Sequence, residues 1–549
     1  MARKGLCNLV LKAKDRIEAK QVRVDAIIEA AEVPKRRQSS KMDHSLSIRS
    51  LYKTRVAILR KLRARNLADS EQSELKRQLS DIQLQVAETN RREALEKEAR
   101  VAEEIKTNPK RFYQYANSFR KTKSKIGPLK TSGGSKTYES GPQKMAEILS
   151  LQYKSVFTTP RVRGPAIPSL TLSSLLENVS LKTEDMALAL KSISTWSSAG
   201  PDGISAWFLR YYADDIAPAL CALWKMSVDT GIMPDDINLA YITPLFKGGD
   251  KSDPANYRPV ALTNHITKAF ERVVKKEILT HLVDNRLLNS SQHGFTAGRS
   301  TLTNLIEYYE SILLLLEHHQ YVDAIYLDYS KAFDKCDHNI ILDKLEGLGI
   351  TGRLNHWISV FLKRRQQIVV VQGTKSRPVW CISGVPQGSV LGPLLFLILM
   401  LDITKGIKHS LLSSFADDTK VWKAIASAVT EAYLQEDLDQ LYIWAQQNNM
   451  EFNSKKFQAI RFAEILSEAF YTNDVEETIE QSNLVKDLGI YFSSDMKFDE
   501  HVRIVANRGK RTGGWIGRVL FTRSAGVMLT FLKELIYPAV EYNCIVEPF

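Results

Sequence analysis

Cysteine motifs and long apolar runs are both scarce in this chain of 549 residues. Its cysteines are few and scattered, at Cys7, Cys221, Cys336, Cys381 and Cys544. They form no CxxC or Cys/His spacing, which argues against a disulfide framework or a common zinc site and predicts a reduced, intracellular protein. The longest apolar run, "PLLFLILML", is about half of a membrane span. The basic start "MARKGLCNLVLKAKDR" has too short an apolar run for a signal peptide, so we expect a soluble protein.

Negative charge is scarce in the N-terminal part of the sequence. Residues 1–150 hold 34 Lys and Arg against 18 Asp and Glu, a net charge of +16, whereas the rest of the chain sums to −3 and the whole to +13. Such a local excess indicates a polyanionic partner, nucleic acid before membrane. A solvated helical extension that binds nothing specific would have the same composition, so both interpretations stay open.

Helix-forming residues dominate the stretch from Ser45 to Lys106, in which Leu75, Leu79, Ile82 and Val86 recur with helical spacing. The next segment, "NPKRFYQYANSFRKTKSK", interleaves tyrosines with cations. This pattern suits base stacking combined with phosphate contact. Aromatic rings packed against a neighbouring domain would explain it equally well.

Beyond Leu181 helical and strand-like stretches alternate without a repeat. "DAIYLDYS" predicts a buried strand that runs into a turn, and the β-branched "QQIVVVQG" predicts another strand. "GPLLFLILMLDI" predicts a buried helix, and "LLSSFADDTKVWKA" predicts two short strands with an Asp pair at their junction. This mixture favours an α+β body with a largely antiparallel sheet.

The adjacent carboxylates Asp417 and Asp418 lie inside an otherwise apolar run. A polar turn would accommodate them, but tight hairpins favour glycine, whereas a divalent cation would offset their repulsion and desolvation. Asp328 is expected to end the strand in "IYLDYS", as Asp417 would end its own strand, and it supplies a third carboxylate. Because neighbouring side chains on a strand face opposite sides, we expect Asp417 and Asp328 to share two Mg²⁺ ions, or Mn²⁺, with Asp418 in support.

Around these aspartates the sequence resembles the reverse transcriptases of non-LTR (LINE-type) retrotransposons, close to the jockey and chicken-repeat groups. Eight blocks follow the order of that family: "SSAGPDGI", "LFKGGDKSDPANYRPVALT", "SQHGFTAGRSTLTNL", "LDYSKAFDKCDH", "SGVPQGSVLGPLLF", "FADDT", "NMEFNSKKFQAIRF" and "LGIYFSSDMKFDEH". The resemblance implies an RNA-directed DNA polymerase, a nucleotidyltransferase with an α+β right-hand fold of fingers, palm and partial thumb. It also implies that "LGIYFSSDMKF" forms the hairpin that grips the primer.

The resemblance implies roles for residues that would otherwise pass as surface charges or loop residues. Lys247 and Arg258 would clamp the triphosphate from the fingers. In "GVPQGS", Gln387 would contact the incoming nucleotide and template, and Gly388 would let the substrate approach the backbone closely.

Two further roles are implied near the aspartates. Phe333 would exclude a ribose 2′-hydroxyl, although an ordinary core phenylalanine would fit the sequence as well. Lys456 would protonate the departing pyrophosphate, and the adjacent Lys455 leaves the choice of lysine open.

We therefore expect a basic, mostly helical extension at 1–125, a linker at 126–180, fingers and palm at 181–502, and a partial thumb at 503–549. The expected partners are an RNA template, a DNA primer or target, and dNTPs, in an intracellular ribonucleoprotein of nucleus and cytoplasm. The endonuclease and zinc knuckle usual in such elements are absent, which indicates a fragment or the product of a decaying copy. A non-catalytic RNA-binding scaffold and a group II intron maturase-like enzyme are the alternatives.

Overall fold

The structure is a computed structural model that describes residues 46–63, 68–119, 126–131, 137–162, 174–234, 237–318, 321–462 and 471–542. Its α-helices are α1 (Leu46–Leu62), α2 (Asp69–Ile105), α3 (Lys110–Ser118), α4 (Pro142–Lys154), α5 (Thr183–Lys191), α6 (Ala206–Tyr211), α7 (Ala213–Thr230), α8 (His265–Asp284), α9 (Thr301–His318), α10 (Ala332–Lys335), α11 (His338–Gly347), α12 (Gly352–Lys363), α13 (Leu391–Met400), α14 (Ala428–Gln447), α15 (Asp499–Val519), α16 (Ala525–Phe531) and α17 (Tyr537–Val540). Its strands are β1 (Leu129–Lys130), β2 (Tyr138–Glu139), β3 (Leu239–Phe246), β4 (Tyr257–Leu262), β5 (Tyr321–Leu327), β6 (Gln366–Val371), β7 (Thr374–Lys375), β8 (Val379–Trp380), β9 (Leu411–Phe415), β10 (Asp418–Ile425), β11 (Gln458–Phe462), β12 (Glu480–Gln481), β13 (Leu484–Asp487) and β14 (Ile490–Ser493).

The described residues form two compact units. One unit comprises residues 126–497, and the other comprises residues 46–119 together with 498–542. The second unit therefore joins helices of the predicted N-terminal extension to helices of the predicted partial thumb. The domain boundaries expected from the sequence stay predictions. None of the described helices is both long and apolar enough to cross a membrane.

A five-stranded sheet in the order β12-β11-β5-β10-β9 forms the centre of the first unit, which we call the sheet unit. Strand β5 pairs antiparallel with both β10 and β11, and β9 pairs antiparallel with β10. Only the short β11–β12 pair is parallel among these neighbours. The largely antiparallel sheet expected from the sequence is therefore confirmed, and its central strand β5 is buried over most of its length.

A second sheet in the order β4-β3-β6-β7, with β8 also paired to β6, lies in the same unit. The strand predicted in "QQIVVVQG" is confirmed as β6. The buried helix predicted in "GPLLFLILMLDI" is confirmed as α13, in which every residue except Pro393 is buried. Its side chains belong to the main hydrophobic core, which also contains the ring cluster of Trp224, Phe270 and Trp357.

The second unit, which we call the helical unit, is held by contacts between segments far apart in the sequence. Phe112 of α3 makes edge-on ring contacts with Trp515 of α15 and Phe531 of α16. The fully buried carboxylate of Glu98 in α2 accepts hydrogen bonds from the Tyr115 hydroxyl and from the backbone N–H of Phe521, each at 2.8 Å. It also accepts the N–H of Thr522 at 2.8 Å. Helix α2 and the α15–α16 connection are therefore parts of one core.

The aromatic residues in the segment at 108–125 differ in their burial, so some of them fit one of the two interpretations and some fit the other. Phe112 and Tyr115 are buried in the core of the helical unit, as packing against other helices requires. Tyr113 and Phe119 are 47% and 49% exposed, as a stacking surface would require. Residues 120–125 of the segment lie outside the described residues.

Candidate active site

The Asp pair lies at the tight turn between β9 and β10. Strand β9 ends at Phe415, β10 begins at Asp418, and these two residues pair across the turn, so Ala416 and Asp417 form the turn itself. Ala416 has a φ of 58°, in the left-handed region that L-residues rarely adopt. The predicted junction of two strands is confirmed. Asp417, however, is a turn residue and does not end a strand, because β9 already ends at Phe415, two residues before it.

Gln292 holds this turn in its unusual conformation. Its side chain donates from Nε2 to the Ala416 carbonyl at 3.2 Å and accepts the Ala416 N–H on Oε1 at 2.9 Å. The same Oε1 accepts the N–H of Gly294 at 2.7 Å. A Cβ added to Gly294 would lie 2.2 Å from the Ala416 nitrogen, so any larger residue would displace the turn. These contacts offset a backbone conformation that costs about 1–2 kcal/mol.

Asp328 directly follows β5, beside the start of β10. The β5–β10 register pairs Leu327 with Thr419, so the next positions on the two strands, Asp328 and Asp418, lie across from each other. The Asp328 carboxylate receives a hydrogen bond from the Lys456 ammonium at 2.6 Å. Of the two adjacent lysines in "FNSKKF", Lys456 is thus the one that contacts a carboxylate of the site.

The carboxylates of the site interact through their charges. Burial raises the pKa of Asp417, and the negative charge of Asp328 adds to the shift. Although part of Asp418 is exposed, loss of solvation raises its pKa to about 6, and Asp417, Asp487 and Asp328 contribute further. The three predicted carboxylates are therefore close enough to repel one another.

The two predicted cations of the fingers face the same site. Lys247 directly follows β3 and Arg258 lies on β4, which is paired antiparallel with β3. The pKa of Lys247 is lowered by burial and by the charges of Lys456 and Arg258, whereas Asp328 and Asp417 raise it. Arg258 in turn lowers the pKa of Asp417. The structure thus brings Lys247, Arg258 and Lys456 together with the carboxylates.

The loop that contains Gln387 and Gly388 packs against β4. The N–H of Ala261 in β4 donates to the Gln387 carbonyl at 2.8 Å. Gly388 has a φ of 127°, and a Cβ there would lie 2.3 Å from the Ala261 carbonyl oxygen. Glycine at 388 is therefore required by close approach to β4, whereas close approach to a substrate stays a prediction.

Phe333 lies in the short helix α10 and is half-buried. Its ring stacks on Phe396 of α13 at a centroid distance of 4.5 Å, and Phe295 contacts it edge-on at 6.0 Å. The ring therefore takes part in core packing on at least one side. Its role in excluding a 2′-hydroxyl stays a prediction.

The side chains of the site fit a hard divalent cation by their chemistry. Within the described ranges, no three His, Cys, Asp or Glu side chains are gathered closely enough to hold one metal ion. Carboxylate oxygens are nevertheless the ligands that Mg²⁺ prefers, and a cation would favour the ionised forms of Asp417 and Asp418, whose pKa values are raised by loss of solvation and by the charge of Asp328. In the structure, the Lys456 ammonium faces Asp328. The assignment of Asp328, Asp417 and Asp418 as metal ligands stays a prediction.

Sequence reasoning missed several residues that shape the site, among them Gln292, Gly294 and Asp334. Gln292 and Gly294 belong to the block "SQHGF", which carried the family resemblance without a role for single residues. The available signal was an amide side chain two residues before a glycine. Asp334 accepts a hydrogen bond from Gln387 Nε2 at 3.1 Å, and it stands directly after the predicted sugar-contacting ring.

Comparison with known proteins agrees with the geometry. Residues 249–513 match the family described as "Reverse transcriptase (RNA-dependent DNA polymerase)". The chain is 26% identical, over 340 residues, to "Probable RNA-directed DNA polymerase from transposon BS" of Drosophila melanogaster, covering 60% of this chain and 37% of the relative. It is also 26% identical to "RNA-directed DNA polymerase from mobile element jockey" of the same organism, covering 66% of this chain and 40% of that relative. The chain thus spans about two fifths of the length of these relatives.

Among solved structures, the chain is similar to an apo telomerase from Candida tropicalis truncated from its C-terminal domain. The TM-score is 0.35 at 14% sequence identity, and the match covers 52% of this chain and 60% of that one.

Proposed function

We propose that this chain, whose residues 249–513 form a reverse transcriptase domain related to those of non-LTR retrotransposons, is an RNA-directed DNA polymerase. One observation carries the proposal: Asp328 and Asp418 lie across from each other at neighbouring ends of β5 and β10, Asp417 lies in the adjacent turn, and the charges of Lys247, Arg258 and Lys456 act on this group. This arrangement suits a triphosphate substrate, because cations hold its phosphates while carboxylates hold the metal that such chemistry requires.

In this proposal Asp328, Asp417 and Asp418 hold Mg²⁺, with Mn²⁺ as a substitute. Bound there, two metal ions would lower the pKa of the primer 3′-hydroxyl and stabilise the leaving pyrophosphate. Lys247 and Arg258 would bind the triphosphate oxygens by charge-assisted hydrogen bonds. Lys456, which lies against Asp328, would give a proton to the pyrophosphate oxygen as it leaves.

The partners in this proposal are an RNA template, a DNA primer and dNTPs. By analogy with related elements, the primer would be a nicked chromosomal strand, and the enzyme would act within an intracellular ribonucleoprotein of nucleus and cytoplasm.

Primer extension tests the proposal. Purified protein would be given a DNA primer annealed to an RNA template, dNTPs and Mg²⁺, in parallel with the same primer on a DNA template. We expect RNA-templated extension that EDTA abolishes and that Asp328→Asn lacks. RNA binding without extension under all these conditions would support the scaffold alternative and contradict the proposal.

A further inference from the structure

Asp334 is a half-buried carboxylate that contacts the predicted nucleotide-binding loop. Its Oδ1 accepts a hydrogen bond from Gln387 Nε2 at 3.1 Å. Its backbone carbonyl accepts the Ser383 hydroxyl at 2.9 Å. A Cβ added to Gly384 would lie 2.6 Å from that carbonyl oxygen, so the loop of residues 383–388 packs directly against the Asp334 backbone. The side chain of Gln387 is therefore held at a fixed place relative to α10.

The charges around Asp334 favour its ionised form. Burial raises its pKa to about 6, and Lys331, the Gln387 amide, Arg365 and Arg258 oppose that rise. These groups come from the turn before α10, the Gln387 loop, the start of β6 and β4. Above a pH of about 6 the side chain is therefore a carboxylate that can only accept hydrogen bonds.

An acceptor at this position determines which end of the Gln387 amide faces it. A carboxylate cannot donate to Oε1, so it must be Nε2 that points to Asp334. The carbonyl Oε1 and the second Nε2 hydrogen then remain for another partner. An uncharged amide at 334 could donate or accept, and both orientations of Gln387 would become available.

We propose that Asp334 is a positioning residue that orients the Gln387 amide for the incoming nucleotide. The proposal rests on the proposed function, since Gln387 contacts a nucleotide only in a polymerase. Asp334 itself touches neither metal nor substrate in this account. Its neighbour Phe333 faces the same loop, because the Phe333 carbonyl accepts the N–H of Val385 at 2.8 Å.

The test is a mutant cycle measured by steady-state incorporation of one dNTP on an RNA template. Asp334→Asn should raise KM for the dNTP about fivefold and leave kcat within about twofold, because a charge-assisted hydrogen bond becomes a neutral one of either orientation. In a Gln387→Ala background the same change should have almost no effect on KM, since no amide remains to be oriented. Glu346→Gln, an equivalent change at an exposed carboxylate in α11, is the matched control and should leave KM unchanged.

Two results would overturn the inference. One is an unchanged KM in Asp334→Asn. The other is an equal rise in KM with and without the Gln387 side chain, which would show that Asp334 acts through packing and not through Gln387. If Asp334→Asn does not fold, Asp334→Glu, which moves the charge by one methylene, takes its place with the same expectation. Failure of the wild-type protein to extend any primer would instead contradict the proposed function, so the two failures are distinguishable.

Discussion

The Asp pair of the sheet unit and Glu98 of the helical unit differ in how their carboxylates are compensated. Loss of solvation raises the pKa of both Asp417 and Asp418, and the charge of Asp328 adds to both shifts. In the helical unit Glu98 is fully buried, but two backbone N–H groups and the Tyr115 hydroxyl satisfy it. A satisfied carboxylate stabilises its surroundings, whereas clustered ones cost free energy unless a cation compensates them. The comparison favours a structural role for Glu98, whereas the Asp pair has the uncompensated charge that the proposed metal binding would relieve.

Apart from the proposed metal ligands, the largest effect that separates the units should come from the two adjacent lysines of the sheet unit. Lys456→Ala should lower kcat for extension about 100-fold, the usual scale for losing a general acid. Lys455→Ala is the matched control and should lower kcat less than about threefold, because Lys456 is the lysine in contact with Asp328. Rapid-quench extension of a bound primer measures both. Equal losses of kcat in the two variants would show that the lysines act only through their positive charge.

A change in the helical unit should instead affect stability. Glu98→Ala leaves the Phe521 and Thr522 N–H groups and the Tyr115 hydroxyl without their acceptor, which should cost about 3 kcal/mol or more at about 1–3 kcal/mol for each group. Glu103→Gln removes an exposed carboxylate that pairs with Lys106 at 2.7 Å and should change stability by less than about 0.5 kcal/mol. Denaturant unfolding, with hydrogen exchange of α15 and α16, measures both. Similar stabilities for the two variants would contradict the structural role of Glu98.

Sugar discrimination at Phe333 should show a smaller effect. Phe333→Val should open space at the predicted sugar-contacting position, so that rNTP incorporation rises, dNTP incorporation falls modestly, and the ratio of their kcat/KM values moves by about tenfold. Phe396→Leu removes the ring that stacks on Phe333 and is the packing control. It should lower both values without changing their ratio. If Phe333→Val also leaves the ratio unmoved, the residue is core packing.

The smallest effect should come from the basic N-terminal end of the chain. Residues 1–45 hold 11 Lys and Arg against 6 Asp and Glu, and their deletion leaves every described helix in place. If they contact phosphates, the slope of log affinity against log salt should flatten by about 0.7 for each contact to single-stranded RNA. A deletion of residues 1–106 would also remove Glu98, so its effect on RNA affinity could not be separated from its effect on stability. An unchanged slope for the shorter deletion would favour an extension that binds nothing.

Local patterns were sufficient for some elements of the sheet unit. Alternating and continuous apolar runs predicted β5, β6, β9, β10 and α13, because in each of these elements the apolar residues that become buried are close together in the sequence. The carboxylates were found because Asp417 and Asp418 stand out in an apolar context. The turn position of Asp417 was missed, since it depends on Gln292, which is distant in sequence.

The helical unit was less predictable for a physical reason. An amphipathic helix shows that it has an apolar face but not which helix covers that face. Glu98 looked like one of many acids on a charged helix, and nothing local distinguished it from Glu103 or Glu104. Likewise, the exposure of Tyr113 beside the buried Phe112 and Tyr115 followed only from the position of α15 and α16.

The central claim is that the carboxylates at the β9–β10 turn carry the chemistry while binding depends on other contacts. Single-turnover extension of a pre-bound primer–RNA duplex in Mg²⁺, measured together with Kd, tests it for Asp417→Asn against the wild type. Asp284→Asn, an exposed change in α8, serves as control. We predict a loss of about 1000-fold or more in rate, equivalent to about 4 kcal/mol, with Kd within about threefold of the wild type. Extension by Asp417→Asn at a near-normal rate would contradict the assignment.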